Sequence, residues 1–275
     1  MPNFIVGARL HDYGKGTPDE LFGQVSADGF AAVQLAYKKC VPTVKSYADV
    51  TDALVAETVA AEKAHHIQVA VLGTYVELAI NDESRLRNVA DFKSQLAVCK
   101  ALGAGCIGTE TTAMSKQPAG TTRAQAQELL CRSLAEILPA AEALGVTVGI
   151  EPVTYHSMNS AAATRHILDT MRSPNLKVIF DMSNLVSAEN VDAQDRIWYD
   201  MGALLGDQIV AVHFKGQAFA PDGSLLHTSL EESRTDYAGA FAMLRQLPQP
   251  ALPVLREEAV PARAASDIAF MKGFF

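Results

Sequence analysis

Short runs of apolar residues alternate with longer amphipathic segments along the whole chain. Eight of these runs are nearly continuous in hydrophobicity and mostly rich in Val and Ile, which is typical of parallel strands that are buried on both faces. They are Phe4–Leu10, Ala31–Ala36, Gln68–Leu72, Cys106–Thr109, Val146–Glu151, Lys177–Asp181, Ile209–His213 and Pro253–Glu257. The pattern therefore predicts eight strands of a largely parallel sheet.

The segments between these runs have the spacing of amphipathic helices. Thr17 is placed to cap the first helix, because Glu20 follows it at the position of a capping box. Gly103 and Gly145 follow two other helices as C-cap glycines. The predicted helices are Pro18–Ala27, Tyr47–His65, Glu83–Leu102, Arg123–Leu144, Ala161–Met171, Ala193–Leu205, Tyr237–Leu247 and Ala262–Met271.

Strict alternation of eight strands with eight helices predicts a closed (β/α)8 barrel, a TIM barrel of the α/β class. An open, doubly wound sheet is the alternative fold. No linker rich in Pro or Ser divides the sequence, so we expect residues 1–275 to form a single domain. The longest loop, Gly216–Arg234, follows the seventh strand and is either a functional lid or a surface insertion.

Composition excludes several classes of protein. With 49% hydrophobic and 20% charged residues, the chain is globular and not disordered. A net charge of −8 without any basic run argues against a nucleic-acid partner. No apolar segment is long enough to span a membrane, and the N-terminus lacks the pattern of a signal peptide. The 4 cysteines show no C-x-x-C pair, which indicates a reducing compartment, so we expect a cytoplasmic protein.

The last four predicted strands each end in a residue that can bind a metal ion. These residues are Glu151, Asp181, His213 and Glu257. Active sites of (β/α)8 barrels lie at the carboxyl ends of the strands, so the four side chains should converge. Converging carboxylates need a neutralising partner. The strand ends therefore predict one divalent metal ion, with Mn²⁺ or Mg²⁺ favoured by the oxygen-rich ligands and Co²⁺ or Zn²⁺ as alternatives.

The last of these ligands is ambiguous, because two glutamates follow the eighth strand. Side chains alternate along a strand, so Glu257 and Glu258 cannot both face the barrel axis. We favour Glu257, which is the first carboxylate after the apolar run. At the fifth strand, Pro152 pushes the preceding Glu151 towards extended geometry.

The same strand ends resemble those of the xylose isomerase-like barrel superfamily of sugar and sugar-phosphate isomerases and epimerases. The similar segments are Gly108–Thr111, Ile150–Pro152 with His156, Val178–Leu185, Ile209–Lys215 and Val254–Glu258. The resemblance implies metal ligands at the ends of strands five to eight, with Glu151 and Glu257 also acting as acid and base. Several epimerases of the superfamily have a histidine where this chain has Asn184, which leaves the identity of the substrate open.

Four further residues are candidates for binding substrate. His156 lies in the loop after the fifth strand, where it could hydrogen-bond a substrate hydroxyl. Lys215 follows His213 by two residues, so it could polarise a substrate oxygen or bind a carboxylate or phosphate, or it could be a solvated lysine of the rim. Glu110 ends the fourth strand and could hold a substrate hydroxyl or a metal ligand, and Asn184 could do the same.

The remaining histidines and one glycine motif carry less information. His11 follows the first predicted strand and is a less favoured site residue. His65 and His66 close the second predicted helix, and His166 lies in the middle of another, so we expect structural roles for them. The segment Gly103–Gly108 matches G-x-G-x-x-G, but it follows a helix and enters a strand, which is the reverse of a dinucleotide-binding turn.

These features predict a metal-dependent sugar isomerase or epimerase that acts on keto-sugars or hydroxy-carbonyl compounds by proton transfer through an enediolate. A metal-dependent lyase, such as an inosose dehydratase, is the closest alternative. A barrel endonuclease is disfavoured by the acidic charge and by only 7 histidines. A non-catalytic sugar-binding barrel is the last alternative. The expected partner is a small sugar or polyol-derived molecule, and assembly into a homo-oligomer is left open.

Overall fold

Eight parallel strands hydrogen-bond into one closed sheet. The structure is a computed structural model that describes all residues, Met1–Phe275. The barrel strands are β1 Asn3–Arg9, β2 Ala32–Leu35, β3 Gln68–Gly73, β4 Cys106–Glu110, β5 Val148–Glu151, β6 Leu176–Asp181, β7 Ile209–Phe214 and β10 Ala251–Arg256. They close in the order β1-β10-β7-β6-β5-β4-β3-β2. The chain is therefore a (β/α)8 TIM barrel, as predicted, and the open sheet is excluded.

Helices follow the barrel strands as the sequence predicts. They are α1 Pro18–Ala27, α2 Tyr37–Cys40, α3 Asp52–His65, α4 Asp82–Leu102, α5 Arg123–Leu144, α6 Ala161–Met171, α7 Gln194–Leu205, α8 Tyr237–Leu244 and α9 Ala264–Lys272. The capping box of α1 is present, since the hydroxyl of Thr17 accepts the backbone N–H of Glu20 and the carboxylate of Glu20 accepts that of Thr17. None of the helices combines the length and the apolar character that a membrane span requires.

One predicted helix is interrupted, and one short helix was not predicted. The segment Tyr47–His65 divides into a single 3-10 turn, Tyr47–Asp49, and helix α3. The break falls at Thr51, whose extended backbone and side chain cap α3 by accepting the backbone N–H of Leu54. Helix α2 has only 4 residues and directly follows β2, so it is too short to give a periodic pattern.

The segment Gly216–Arg234, predicted as a loop, contains an antiparallel hairpin. Strand β8, Gly216–Phe219, pairs with β9, Leu225–Thr228, across a turn in which Gly223 has a φ of +83°. The side-chain amide of Gln217 donates hydrogen bonds to two backbone carbonyls of the loop after β6. The hairpin is therefore held by its own ladder and by the rim of the barrel.

Two apolar layers lie on either side of the barrel wall. The larger one contains 63 buried residues and packs the strands against the helices. The smaller one contains 7 residues drawn only from strands, which places it inside the barrel. Its member Ile179 lies so close to Gly108 and Gly149 that a Cβ atom at these positions would come within 2.5 and 2.8 Å of the Ile179 side chain. Ile179 thus fills the barrel interior below the mouth.

Candidate metal centre

The four residues predicted at the ends of strands five to eight are all buried at the mouth of the barrel. Glu151 ends β5, Asp181 ends β6, His213 lies near the end of β7, and Glu257 directly follows β10. Ligand atoms of the first three lie within 4.8 Å of one another. His213 Nδ1 is 3.1 Å from Glu151 Oε2 and 3.5 Å from Glu257 Oε1. The structure therefore brings all four side chains to one place, with Glu257 at the edge of the group.

The two glutamates after β10 face different surroundings. The backbone N–H of Glu257 donates to the carbonyl of Phe214, which continues the ladder with β7 and directs the Glu257 carboxylate into the mouth. Glu258 has a left-handed backbone, with a φ of +57°. Its carboxylate lies 2.5 Å from Nδ1 of His227 on the hairpin. Only Glu257 is thus placed beside the other candidate ligands.

Several buried polar atoms in this group have no hydrogen-bond partner. They are both ring nitrogens of His213 and Oδ2 of Asp181, of which His213 Nδ1 and Asp181 Oδ2 have only ion-pair contacts, with Glu151 and Lys215. Buried polar atoms are nearly always satisfied, so these three atoms on two adjacent residues favour a bound cation as their partner. Carboxylate oxygens together with one imidazole nitrogen suit the divalent ions predicted from the sequence.

Asn184 connects two of the candidate ligands. Its side-chain amide donates to Glu151 Oε1 at 2.5 Å, and its backbone N–H donates to Asp181 Oδ1 at 2.9 Å. Hydrogen bonds of this kind orient metal ligands and are as much a part of a metal site as the ligands themselves. The structure therefore places Asn184, predicted as a substrate-binding residue, where it orients both carboxylates.

Lys215 is buried within the carboxylate group and is not a solvated lysine of the rim. Its Nζ lies 3.0 Å from Asp181 Oδ2 and 3.8 Å from Glu257 Oε2. The hydroxyl groups of Ser183 and Tyr237 both donate to its backbone carbonyl at 2.7 Å. Lys215 is thus a fixed internal cation that offsets part of the negative charge of the site.

Glu110 and His156 lie on the β4–β5 side of the mouth. Glu110 is adjacent to Glu151 in the sheet and lines the cavity above Ile179. Partial desolvation, together with the charges of Glu151 and Glu257, raises the pKa of Glu110 to about 7. The ring of His156 is buried, with Nε2 3.9 Å from Glu110 Oε2, and burial lowers its pKa to about 4. His156 is therefore a neutral imidazole at neutral pH.

In two of three residues, the charges of the site outweigh the effect of burial on the pKa. Burial alone would lower the pKa of His213, but the carboxylates of Glu257 and Glu151 outweigh it and raise the value to about 9. Burial would raise the pKa of Glu257, but His213, Lys215 and Arg9 lower it to about 2. Burial raises the pKa of Asp181 to about 6 despite the nearby ammonium of Lys215. Without a metal ion, the site thus holds a protonated His213 at neutral pH.

Metal affinity should therefore increase with pH. His213 must lose its proton to coordinate a metal ion, so binding should release a proton below about pH 9, and affinity for Mn²⁺ should rise about tenfold per pH unit between about pH 6.5 and 8.5. Calorimetric titration in buffers of different ionisation enthalpy measures this release. His166→Gln, on the exposed surface of α6, should keep the dependence and serves as the control. Affinity that is constant over this range would contradict the assignment of His213.

The opposite side of the mouth contains residues that the sequence analysis did not select. A small cavity of about 20 Å³ extends from the candidate ligands to Gln34 on β2 and Tyr75 after β3. Gln34 Nε2 is 3.0 Å from the hydroxyl of Tyr75 and 3.5 Å from Glu257 Oε1. Arg9 on β1 lies 3.6 Å from Glu257 Oε2. A single polar residue within the apolar run Ala31–Ala36 was the one available signal for Gln34.

Solved structures of the same fold include enzymes that act on sugars. An E. coli 3-keto-D-glucoside 4-epimerase in its apo form is 17% identical, with a TM-score of 0.73 over 98% of this chain and 100% of the other. The IOLI protein with a binding zinc atom is 15% identical, with a TM-score of 0.76 over 98% and 96%. A D-tagatose 3-epimerase-like protein is 12% identical, with a TM-score of 0.77 over 100% and 97%.

At such identities, structural similarity establishes the fold and not the reaction. Comparison with curated proteins finds no match. A sequence profile of one family, the xylose isomerase-like TIM barrel, matches residues 22–273, which is most of the chain. The chain therefore belongs to the xylose isomerase-like TIM barrel family.

Proposed function

We propose that the protein is a divalent-metal-dependent isomerase or epimerase of keto-sugars or related hydroxy-carbonyl compounds. The observation that carries this proposal is the placement of two buried glutamates, Glu151 and Glu257, on either side of His213 beneath an open cavity. Two structural neighbours are described as a 3-keto-D-glucoside 4-epimerase and a D-tagatose 3-epimerase-like protein, which supports the same class of substrate.

Glu151, Asp181 and His213 would hold the metal ion, with Glu257 as a fourth ligand. We expect Mn²⁺ or Mg²⁺ from the carboxylate-rich set, with Co²⁺ or Zn²⁺ as alternatives, and one neighbour of this fold binds zinc. When bound, a divalent ion polarises a substrate carbonyl and stabilises negative charge on its oxygen. Asn184 holds the carboxylate of Glu151 in one orientation for this role.

The two glutamates would move the protons. Glu151 comes from β5 and Glu257 from the end of β10, with β6 and β7 between them, so they approach the cavity from different directions. One removes the proton from the carbon next to the carbonyl, and the other returns a proton. Return to the opposite face of the same carbon is an epimerisation, and return to the neighbouring carbon is an isomerisation. Glu257 is ionised at neutral pH, because His213, Lys215 and Arg9 lower its pKa, so its carboxylate is in the form that can accept a proton.

The remaining candidates would contact the substrate around this centre. Lys215 would act as a fixed positive charge, and Glu110 and His156 would hold substrate hydroxyls on the β4–β5 side.

The whole chain would act as one domain, since β1 and β10, at the two ends of the sequence, pair with each other to close the barrel.

A metal-dependent dehydratase is the second candidate, favoured by one observation. The raised pKa of Glu110, about 7, leaves much of this carboxyl group protonated at neutral pH. A carboxylic acid facing the cavity could protonate a leaving hydroxyl group, which dehydration requires.

One experiment separates these reactions. The protein loaded with Mn²⁺ is incubated with D-tagatose, D-fructose or a 3-keto-D-glucoside in D₂O and followed by NMR. Epimerisation or isomerisation yields a new sugar with deuterium at one carbon. Dehydration instead yields a product that has lost one molecule of water. EDTA should abolish either reaction, and Glu142→Gln, on the surface of α5, should leave it unchanged. No exchange of any carbon-bound hydrogen would reject both proposals.

A further inference from the structure

We infer that Gln34 and Tyr75 form a subsite that recognises one hydroxyl group of the substrate, next to the carbon that Glu257 serves. The inference rests on the proposed function and narrows its substrate class to polyhydroxy compounds that keep a free hydroxyl at this point. It places a specificity-determining site on the β2–β3 side of the mouth, away from the metal-ligand residues of β5, β6 and β7.

The position of Gln34 follows from the alternation of side chains along β2. Ala32 belongs to the apolar cluster inside the barrel, whereas Val33 and Leu35 pack against the helices. Gln34, two residues after Ala32, therefore also points inward, and only 5% of it is exposed. Burying an amide group without hydrogen-bond partners costs free energy, so an inward glutamine in an apolar strand needs partners in the cavity.

The orientation of the Gln34 amide follows from its neighbours. Its Nε2 lies 3.0 Å from the hydroxyl of Tyr75 and 3.5 Å from Glu257 Oε1. An ionised carboxylate only accepts hydrogen bonds, so the NH₂ end of the amide must face Glu257. The carbonyl oxygen of the amide, Oε1, is then left buried without any partner. Gln34 lines the cavity, and this unpaired oxygen is the acceptor that it can offer to a ligand.

Tyr75 supplies the complementary donor. Its hydroxyl oxygen accepts from Gln34, so its own proton remains free to donate into the cavity. The ring is held in place from two directions. The ammonium of Lys39 lies 3.3 Å from the ring centroid, and the ring of His11 packs edge-on at 5.7 Å. The Tyr75 hydroxyl is therefore positioned before a ligand arrives.

An acceptor and a donor side by side match a hydroxyl group, which both donates and accepts. A fully ionised carboxylate or phosphate has no proton for Gln34 Oε1 and would add negative charge beside Glu257. A hydrogen atom in place of the hydroxyl would leave both Gln34 and Tyr75 unpaired, and sites built to hydrogen-bond a hydroxyl reject analogues that lack it. The subsite thus selects for a hydroxyl and against deoxy and anionic groups at this position.

The test measures dissociation constants by calorimetry for the full-length protein loaded with Mn²⁺. The ligands are D-tagatose, its monodeoxy analogues, and D-sorbitol as a polyol without a carbonyl. Wild type should bind one monodeoxy analogue at least about tenfold more weakly than D-tagatose. Gln34→Met should discriminate less between this analogue and the parent sugar than wild type does, because only Tyr75 is left to bind the hydroxyl. Tyr75→Phe keeps the ring and should reduce the same discrimination, so it tests the subsite even if Gln34→Met folds poorly.

Gln68→Met, on the exposed start of β3 at the other end of the barrel, is the control and should discriminate like wild type. If Gln34→Met and Tyr75→Phe both discriminate between the sugar and its deoxy analogue as wild type does, the proposed subsite is wrong, even if the NMR experiment shows epimerisation. Discrimination that depends on Gln34 without any reaction in D₂O supports the subsite and rejects the proposed function. Absence of binding by every sugar and polyol overturns both.

Discussion

Glu257→Gln should lower turnover by about 10²–10⁴-fold, the range that a positioned proton-transfer group contributes, whereas Glu258→Gln should change it little. The Glu257 carboxylate faces His213 in the mouth of the barrel, and glutamine at this position cannot accept or return a proton. Glu258 lies one residue further on, yet it pairs with His227 on the hairpin, and 28% of its side chain is exposed. Exposed ion pairs of this kind contribute little.

The measurement compares kcat and KM of the two variants on the sugar that wild type converts, after the metal content of each protein has been determined. Glu151→Gln should match Glu257→Gln, because the mechanism needs both glutamates. Equal metal content in Glu257→Gln and wild type would separate the loss of proton transfer from the loss of a ligand. An inactive Glu258→Gln with an active Glu257→Gln would show that the residue after β10 was assigned one position too early.

The barrel could be predicted because its strands are buried on both faces. Such strands are mostly apolar over 4 to 7 residues, and every one of the eight begins and ends within two residues of its predicted bounds. The same burial allowed the ligands to be predicted, because a carboxylate directly after an apolar run is costly to bury unless it has a partner. Parallel strands share one carboxyl edge, so ordering the strands was enough to bring Glu151, Asp181 and His213 together.

The sequence could not reveal contacts between distant strands. Gln34 meets Glu257 across 223 positions of the chain, and no local pattern indicates that pairing. Lys215 was ambiguous for a similar reason, because whether it is solvated or buried depends on Asp181 of the neighbouring strand. The role of Asn184 likewise depends on the carboxylate of Glu151, which comes from another strand end.

Short or exposed elements also could not be predicted from the sequence. The hairpin strand β9 is mostly exposed, so it has no buried face that would impose an alternating pattern. The break before α3 depends on the backbone of Thr51, where a capping side chain competes with continuation of the helix. The deciding interaction at Thr51 is a local hydrogen bond of small free energy, which apolar periodicity does not record.

Asp267→Asn should destabilise the folded protein by about 3–5 kcal/mol, the cost of breaking a buried ion pair. Arg256, the last residue of β10, is 3% exposed, and its Nε donates to Asp267 Oδ2 of α9 at 2.8 Å. The same guanidinium also donates to the backbone carbonyl of Glu257. Asparagine would leave Arg256, which directly precedes Glu257, buried with its charge uncompensated.

Urea unfolding followed by circular dichroism measures this loss against two comparisons. Asp200→Asn breaks the exposed pair with Arg196 on α7 and should cost far less. Replacing both buried partners, as Arg256→Met with Asp267→Leu, should recover most of the stability, because two apolar side chains leave no unpaired charge. If Asp267→Asn costs no more than Asp200→Asn, water or another acceptor must compensate Arg256, and the pair does not anchor α9 to the barrel.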